Sequence, residues 1–234
     1  MTARVIVDDI PKLALTCAAA FESTAAEVLA RRERFVIALP GGSVASAFYP
    51  VLSALALDWT HIDIFWIDER AVPPDHPQSN YALTLRLLLA PARVPPVRIH
   101  RMPGELPDLD QAARRAADEL QAVAGAPPQF DLVLTGVGED GHVASVFPGR
   151  PEPREHNIPV IPIYDSPKPP ARRLTLTLPV LASAGFLIVG AFGASKAAVM
   201  RDALHTSHAA TPIAELLRRA RSSLVLLDRE AGLS

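Results

Sequence analysis

The segment Gly136-Val137-Gly138-Glu139-Asp140-Gly141-His142 sets an imidazole and a carboxylate two residues apart, among glycines at 136, 138 and 141. Histidine is the natural general base near neutral pH, because its charge changes there. A carboxylate beside it can orient the ring or raise its pKa. Glycines remove side chains from the surroundings, so a substrate can come close. A lone histidine is more often structural. One in a glycine-rich loop directly after the apolar run Phe130–Thr135 points instead to catalysis by His142, with Asp140 as its partner.

Two other loops hold polar groups directly after apolar runs. Pro40-Gly41-Gly42-Ser43 follows Phe35–Leu39. Its glycines let a backbone approach a ligand, and the helix start after them presents free N–H groups to an anion. The same residues would equally make an ordinary strand-to-helix turn capped by Ser43. Asp68-Glu69-Arg70-Ala71-Val72-Pro73 follows Ile62–Ile67. The planar fork of Arg70 suits phosphate or carboxylate, and Asp68 could accept from sugar hydroxyls. A solvated turn with a local Asp–Arg pair would look the same. Further on, Lys168-Pro169-Pro170-Ala171-Arg172-Arg173 reads as a basic loop. Gly193-Ala194-Ser195-Lys196 repeats the pairing of a glycine and a cation at a helix start.

Several chemistries are absent. The glycine loops match neither the phosphate loop of nucleotide-binding proteins nor the dinucleotide fingerprint. No Gly-x-Ser-x-Gly elbow supplies a serine nucleophile. The other six histidines, His61, His76, His100, His156, His205 and His208, lack paired metal-ligand spacing, so neither metal nor cofactor is expected. Cys17 is the only cysteine, which excludes an intramolecular disulfide. The net charge of −2 gives no general attraction to nucleic acid or an anionic membrane. Apolar runs such as Gly185–Phe192 are too short to span a bilayer. The first twelve residues have no signal pattern, so a cytoplasmic location is expected. Monomer and homo-oligomer stay open. Only three of the 23 basic residues are lysines, at 12, 168 and 196.

These loops need elements to position them. Hydrophobic spacing predicts helices from Asp9 to Arg34, after Ser43 through Leu55, from Ser79 or Asn80 to about Leu89, over Asp108–Ala124, Ser195–Leu204 and Thr211–Arg221. Strands are predicted at Phe35–Leu39, Ile62–Ile67, Phe130–Thr135, Ile158–Ile163, Leu174–Leu178, Phe186–Gly190 and Ser223–Asp228, with Pro91–Pro107 as a proline-rich connection. Short apolar strands alternating with helices imply one α/β domain over residues 1–234. Its Rossmann-like, doubly wound and mostly parallel sheet carries helices on both faces. Ligands of such sheets bind beyond the carboxyl ends of the strands, where all three loops lie.

Taken in order, the motifs resemble one family. They are Gly-Gly-Ser at 41–43, Asp-Glu-Arg-x-Val-Pro at 68–73, Ser-Asn at 79–80, Gly-x-Gly-x-Asp-Gly-His-x-Ala-Ser-x-Phe-Pro-Gly at 136–149, Lys-Pro-Pro-x-x-Arg-x-Thr at 168–175 and Gly-x-x-Lys at 193–196. This is similar to the 6-phosphogluconolactonases of the pentose phosphate pathway, over about residues 36–228. The resemblance implies hydrolysis of a sugar-phosphate lactone without metal. The phosphate would lie against some of Arg70, Arg173 and Lys196 and the Gly41–Ser43 backbone, with Asp68 on the sugar and His142 activating water. The related glucosamine-6-phosphate deaminases carry an Asn-Glu-Pro segment after Asp-Gly-His. Here Ala144-Ser145-Val146-Phe147-Pro148-Gly149 lacks that carboxylate. A non-catalytic sugar-phosphate sensor is the rival from another class, but such sensors usually carry an added domain. Val44 and Val143 stand where the lactonase pattern commonly has Thr, which puts any hydroxyl contact there in doubt.

Overall fold

The computed structural model describes residues 3–150 and 158–232; His156 lies outside them. Its first strand, β1 (Arg4–Val7), is followed by α1 (Ile10–Leu29), β2 (Phe35–Leu39), α2 (Gly42–Leu52), β3 (Ile62–Trp66), β4 (Asp68–Arg70), α3 (Asn80–Thr84) and α4 (Leu109–Ala124). Then come β5 (Leu132–Gly136), β6 (Val160–Ile163), β7 (Arg173–Leu176), α5 (Leu178–Ala182), β8 (Phe186–Ala191), α6 (Ala197–His205), α7 (Pro212–Arg219) and β9 (Ser223–Leu227).

Six strands form a sheet in the order β1-β9-β8-β5-β2-β3, every neighbouring pair parallel. Strand alternation sorts its side chains by face. Phe35, Ile37 and Leu39 of β2 join a core with Leu13, Cys17 and Phe21 of α1 and Phe48 and Leu52 of α2. Val36 and Ala38 face the opposite core, built with α4, α5, α6 and α7. Helices therefore cover both faces, as the near-continuous apolar strands require.

The sequence placed β6 and β7 in the main sheet. They instead form a separate antiparallel sheet, β4-β7-β6, packed through Val160, Leu174 and Leu176 into the second core. Asp68-Glu69-Arg70, read as a loop, is the third strand of this sheet. Its charges conceal it from a hydrophobicity pattern, while its main chain pairs with β7. The expected strand to Leu178 stops at Leu176; Thr177 is the N-cap of α5, which begins at Leu178. The helix expected to Arg34 ends at Leu29, and the stretch after α3 continues as one π-helical turn over Leu85–Leu89.

Candidate active site

Connections from β2 run outward to β3, and those from β5 run the other way to β8. The strand order therefore reverses between β2 and β5, which are neighbours. Ligands of open α/β sheets bind in the crevice at such a point, beyond the carboxyl ends. A cleft lies there. Gly41, Gly42 and Ser43 line it from the loop after β2, Asp68 and Arg70 from β4, and Gly138 and His142 from the loop after β5. Asn80 and Arg173 complete the wall.

The first wall is set by close packing. A Cβ on Gly41 would lie 1.8 Å from Oδ1 of Asn80, so any other residue there must displace the buried Asn80 amide. Gly42 has φ +71°, a conformation that L side chains rarely adopt. The Tyr49 hydroxyl donates to the Pro40 carbonyl and ties the turn to α2. The N-terminus of α2 then opens on the cleft with its positive dipole end.

Glu69 and Asp68 are both buried but do different work. The Glu69 carboxylate accepts from the backbone N–H of Arg70, Asn80 and Tyr81 and from the Ser79 hydroxyl, at 2.7–3.0 Å. It thereby caps α3. Burial raises the Glu69 pKa despite these bonds. Asp68 accepts from Asn80 Nδ2 at 2.9 Å and from the Ser145 hydroxyl at 2.7 Å. It links the second loop to the one carrying His142. Arg70 donates from Nη1 to the Gln78 carbonyl at 2.7 Å, and its Nε is buried without a hydrogen-bond partner among the described residues.

His142 Nδ1 lies 2.5 Å from Asp140 Oδ1. An ionised carboxylate only accepts, so Nδ1 carries the proton and Nε2 keeps its lone pair. Gly138 N donates to the His142 carbonyl at 2.9 Å and closes the loop, while the imidazole packs on the Phe147 ring with centroids 4.7 Å apart. Burial lowers the His142 pKa, outweighing the opposing pull of Asp140. The carboxylate thus orients the imidazole, while the net shift runs opposite to the rise its charge alone would give. Asp140 itself is held below the usual carboxylate range: burial opposes its charge, but the His142 contacts outweigh it.

Seven of the nine expected site residues line the cleft: Gly41, Gly42, Ser43, Asp68, Arg70, His142 and Arg173. Asp140 stands behind His142. Lys196, in the 3-10 turn Ala194–Lys196 before α6, is not among the lining residues. Its Nζ lies 4.0 Å from Glu139 Oε1, beside the loop that carries His142. Val44 and Val143 are both buried in apolar cores, where a hydroxyl would need a partner. In the sequence, Asn80 reads as a helix cap and Asn80 and Ser145 as members of the family motifs, with no site role for either. Ser145 is 77 residues from Asp68, and no local spacing signals that contact. Among the described residues, no group of three or more His, Cys, Asp or Glu side chains could hold a metal ion. No helix among them is long and apolar enough to cross a membrane.

Residues 8–226 match the family described as glucosamine-6-phosphate isomerases/6-phosphogluconolactonase. The chain is 40% identical to the 6-phosphogluconolactonase of Rattus norvegicus over 210 residues, covering 86% of this chain and 80% of the rat protein. It is 34% identical to the 6-phosphogluconolactonase of Mycobacterium leprae, covering 90% and 89%. Against four relatives from rice it spans 58–65% of their length. The structure of 6-phosphogluconolactonase from Trypanosoma brucei superposes with a TM-score of 0.84 at 28% identity, covering 99% of this chain and 98% of that one.

Proposed function

The chain belongs to the glucosamine-6-phosphate isomerase/6-phosphogluconolactonase family, and from that premise we propose that it hydrolyses 6-phosphogluconolactone to 6-phosphogluconate, with His142 as general base. The observation that carries this reading is the His142–Asp140 pair at 2.5 Å, set in a cleft that also holds Arg70 and the N-terminus of α2. The deaminase alternative is disfavoured because no Asp or Glu occurs between residues 143 and 149.

His142 Nε2 takes a proton from water as the water oxygen bonds to the lactone carbonyl carbon. Backbone N–H groups of the glycine loops stabilise the oxyanion that forms. The tetrahedral intermediate then collapses, breaking the bond from the carbonyl carbon to the ring oxygen. The imidazolium returns its proton to that oxygen, which becomes the product hydroxyl. Asp140 stabilises the imidazolium between the two transfers. Arg70 meets the phosphate dianion. An ester-like carbonyl is already electrophilic, so the scheme invokes no metal or cofactor. The substrate is a small soluble molecule of a cytosolic pathway, and a cytoplasmic location fits it. The test is hydrolysis of freshly prepared 6-phosphogluconolactone, with the spontaneous rate subtracted. A rate no higher than the spontaneous one would overturn the proposal.

A further inference from the structure

Resting on that reading, we propose that Ser145 is a positioning residue for the hydrolysis: by bridging one cross-strand pair of the second sheet, Asp68 and Thr175, it sets where His142 stands relative to Arg70.

Asp68 on β4 and Thr175 on β7 are partners in the register of the antiparallel sheet. Ser145 is bonded to both. Its hydroxyl donates to Asp68 Oδ2 at 2.7 Å, and its backbone N–H donates to Thr175 Oγ1 at 3.1 Å. All three residues are buried. The Thr175 hydroxyl gives its own proton to the Leu176 carbonyl at 3.0 Å, which leaves its oxygen to accept from Ser145. The Ser145 hydroxyl is likewise used from both sides. It donates to Asp68 and accepts from Arg173 Nη1 at 3.3 Å, and that guanidinium stands 3.9 Å from the carboxylate. A hydrogen bond to an ionised acceptor away from water is stronger than a neutral one.

The link is short along the chain as well. His142 precedes Ser145 by three residues, and Arg70 follows Asp68 by two on the same strand. Little in between can give. Val143 and Val146 exchange both backbone hydrogen bonds, at 3.2 and 2.9 Å, and close a tight turn around Ala144 and Ser145. Ala144 has φ +52°, which a residue with a Cβ adopts only where its surroundings hold it. The two bonds from Ser145 supply that hold. On the far side of Asp68, Asn80 Nδ2 donates to Oδ1 at 2.9 Å, so the carboxylate cannot swing to follow a displaced turn. Asp140 thus fixes the tautomer of the imidazole, while Ser145 fixes the loop that carries it.

A phosphorylated lactone anchored at Arg70 has its carbonyl at a set distance from that anchor, and the base must stand in register with it. A lactone without phosphate is free to shift toward a displaced base.

The experiment measures kcat and KM with 6-phosphogluconolactone and with unphosphorylated gluconolactone for wild type, Ser145→Ala, Thr175→Val and the double variant, each checked by a thermal melt. Ser145→Ala should lower kcat for the phosphorylated substrate about tenfold at nearly unchanged KM, since a catalytic group misplaced by ~1 Å loses roughly a hundredfold. The loss with the unphosphorylated lactone should stay under about threefold. Thr175→Val cuts only the other arm of the bridge and should shift both substrates in the same sense. The double variant should lose less than the product of the two single losses, because both cuts free the same turn. A kcat within about twofold of wild type in Ser145→Ala, equal losses on both lactones, or full additivity of the two variants would overturn the proposal. Should Ser145→Ala fail to fold, Thr175→Val carries the same comparison of substrates. Should the wild type fail to hydrolyse the lactone, the proposed function falls, and crystal structures of wild type and Ser145→Ala still decide the bridge. The imidazole should then move against Arg70 by more than about 0.5 Å, the tolerance of a catalytic constellation, and an unmoved ring would overturn the bridge.

Discussion

The backbone of Gly138 runs against the imidazole of His142 so closely that a Cβ at residue 138 would lie 1.9 Å from Nδ1 and 2.6 Å from Asp140 Oδ1. The glycine is a steric condition for the His142–Asp140 pair, in addition to leaving room for substrate. Gly138→Ala must push the ring or the carboxylate aside. Misplacing a catalytic group by about 1 Å can cost roughly a hundredfold in rate. The expected result is a fall of at least about tenfold in kcat, with phosphate affinity kept and an unfolding temperature lowered by only a few degrees. Steady-state kinetics beside a thermal melt checks it. Turnover within about twofold of wild type would show that the pair tolerates displacement.

Arg70 is expected to act on recognition. Its Nε is buried without a partner among the described residues, and Nη1 is anchored to Gln78. Arg70→Ala should cost about 1.5–3 kcal/mol with the phosphorylated substrate, or about tenfold to 150-fold in kcat/KM. The loss with unphosphorylated gluconolactone should be much smaller. Equal losses with both substrates would assign Arg70 to the fold or to the reacting centre.

A second histidine bears on stability. His100 lies between Asp63 Oδ1 at 3.0 Å and Glu119 Oε1 at 2.9 Å and stacks on Phe65. Burial opposes its charge, but the bonds to Glu119 and Asp63 outweigh it, so its pKa is raised above 6.5. A raised folded pKa means stability that is complete below the unfolded value and is lost as pH climbs through the folded one. The unfolding temperature should therefore fall from about pH 6 to pH 9 by more in wild type than in His100→Gln. Parallel pH curves for the two proteins would contradict this.

Much of the layout is legible in the sequence because it depends on local pattern. The apolar runs that became β2, β3, β5, β8 and β9 fix where the strands lie, and the glycine and charge clusters after β2, β3 and β5 mark the cleft end. What escaped reading depends on contacts across the chain. β4 consists of Asp68, Glu69 and Arg70, and its identity as a strand comes from pairing with Leu174 and its neighbours about a hundred residues later. β1 carries exposed Val5 and Val7 at the sheet edge, so no burial pattern marks it. The roles of Asn80 and Ser145 are those of partners to Asp68. Such links exist only after the second and third loops have been brought together.

The general base is tested most directly by comparing wild type with His142→Ala, after confirming that both unfold alike and bind 6-phosphogluconate alike. General-base catalysis is worth about 10²–10⁴ in rate, and the alanine variant should lose that much in kcat. His142→Asn should fail similarly, since an amide cannot take the proton. Because burial lowers the pKa of His142, the fall of the wild-type rate with decreasing pH should have its midpoint below 6.5. Spontaneous hydrolysis rises with pH and is subtracted throughout. A folded His142→Ala protein that turns over substrate within about threefold of wild type would contradict the mechanism.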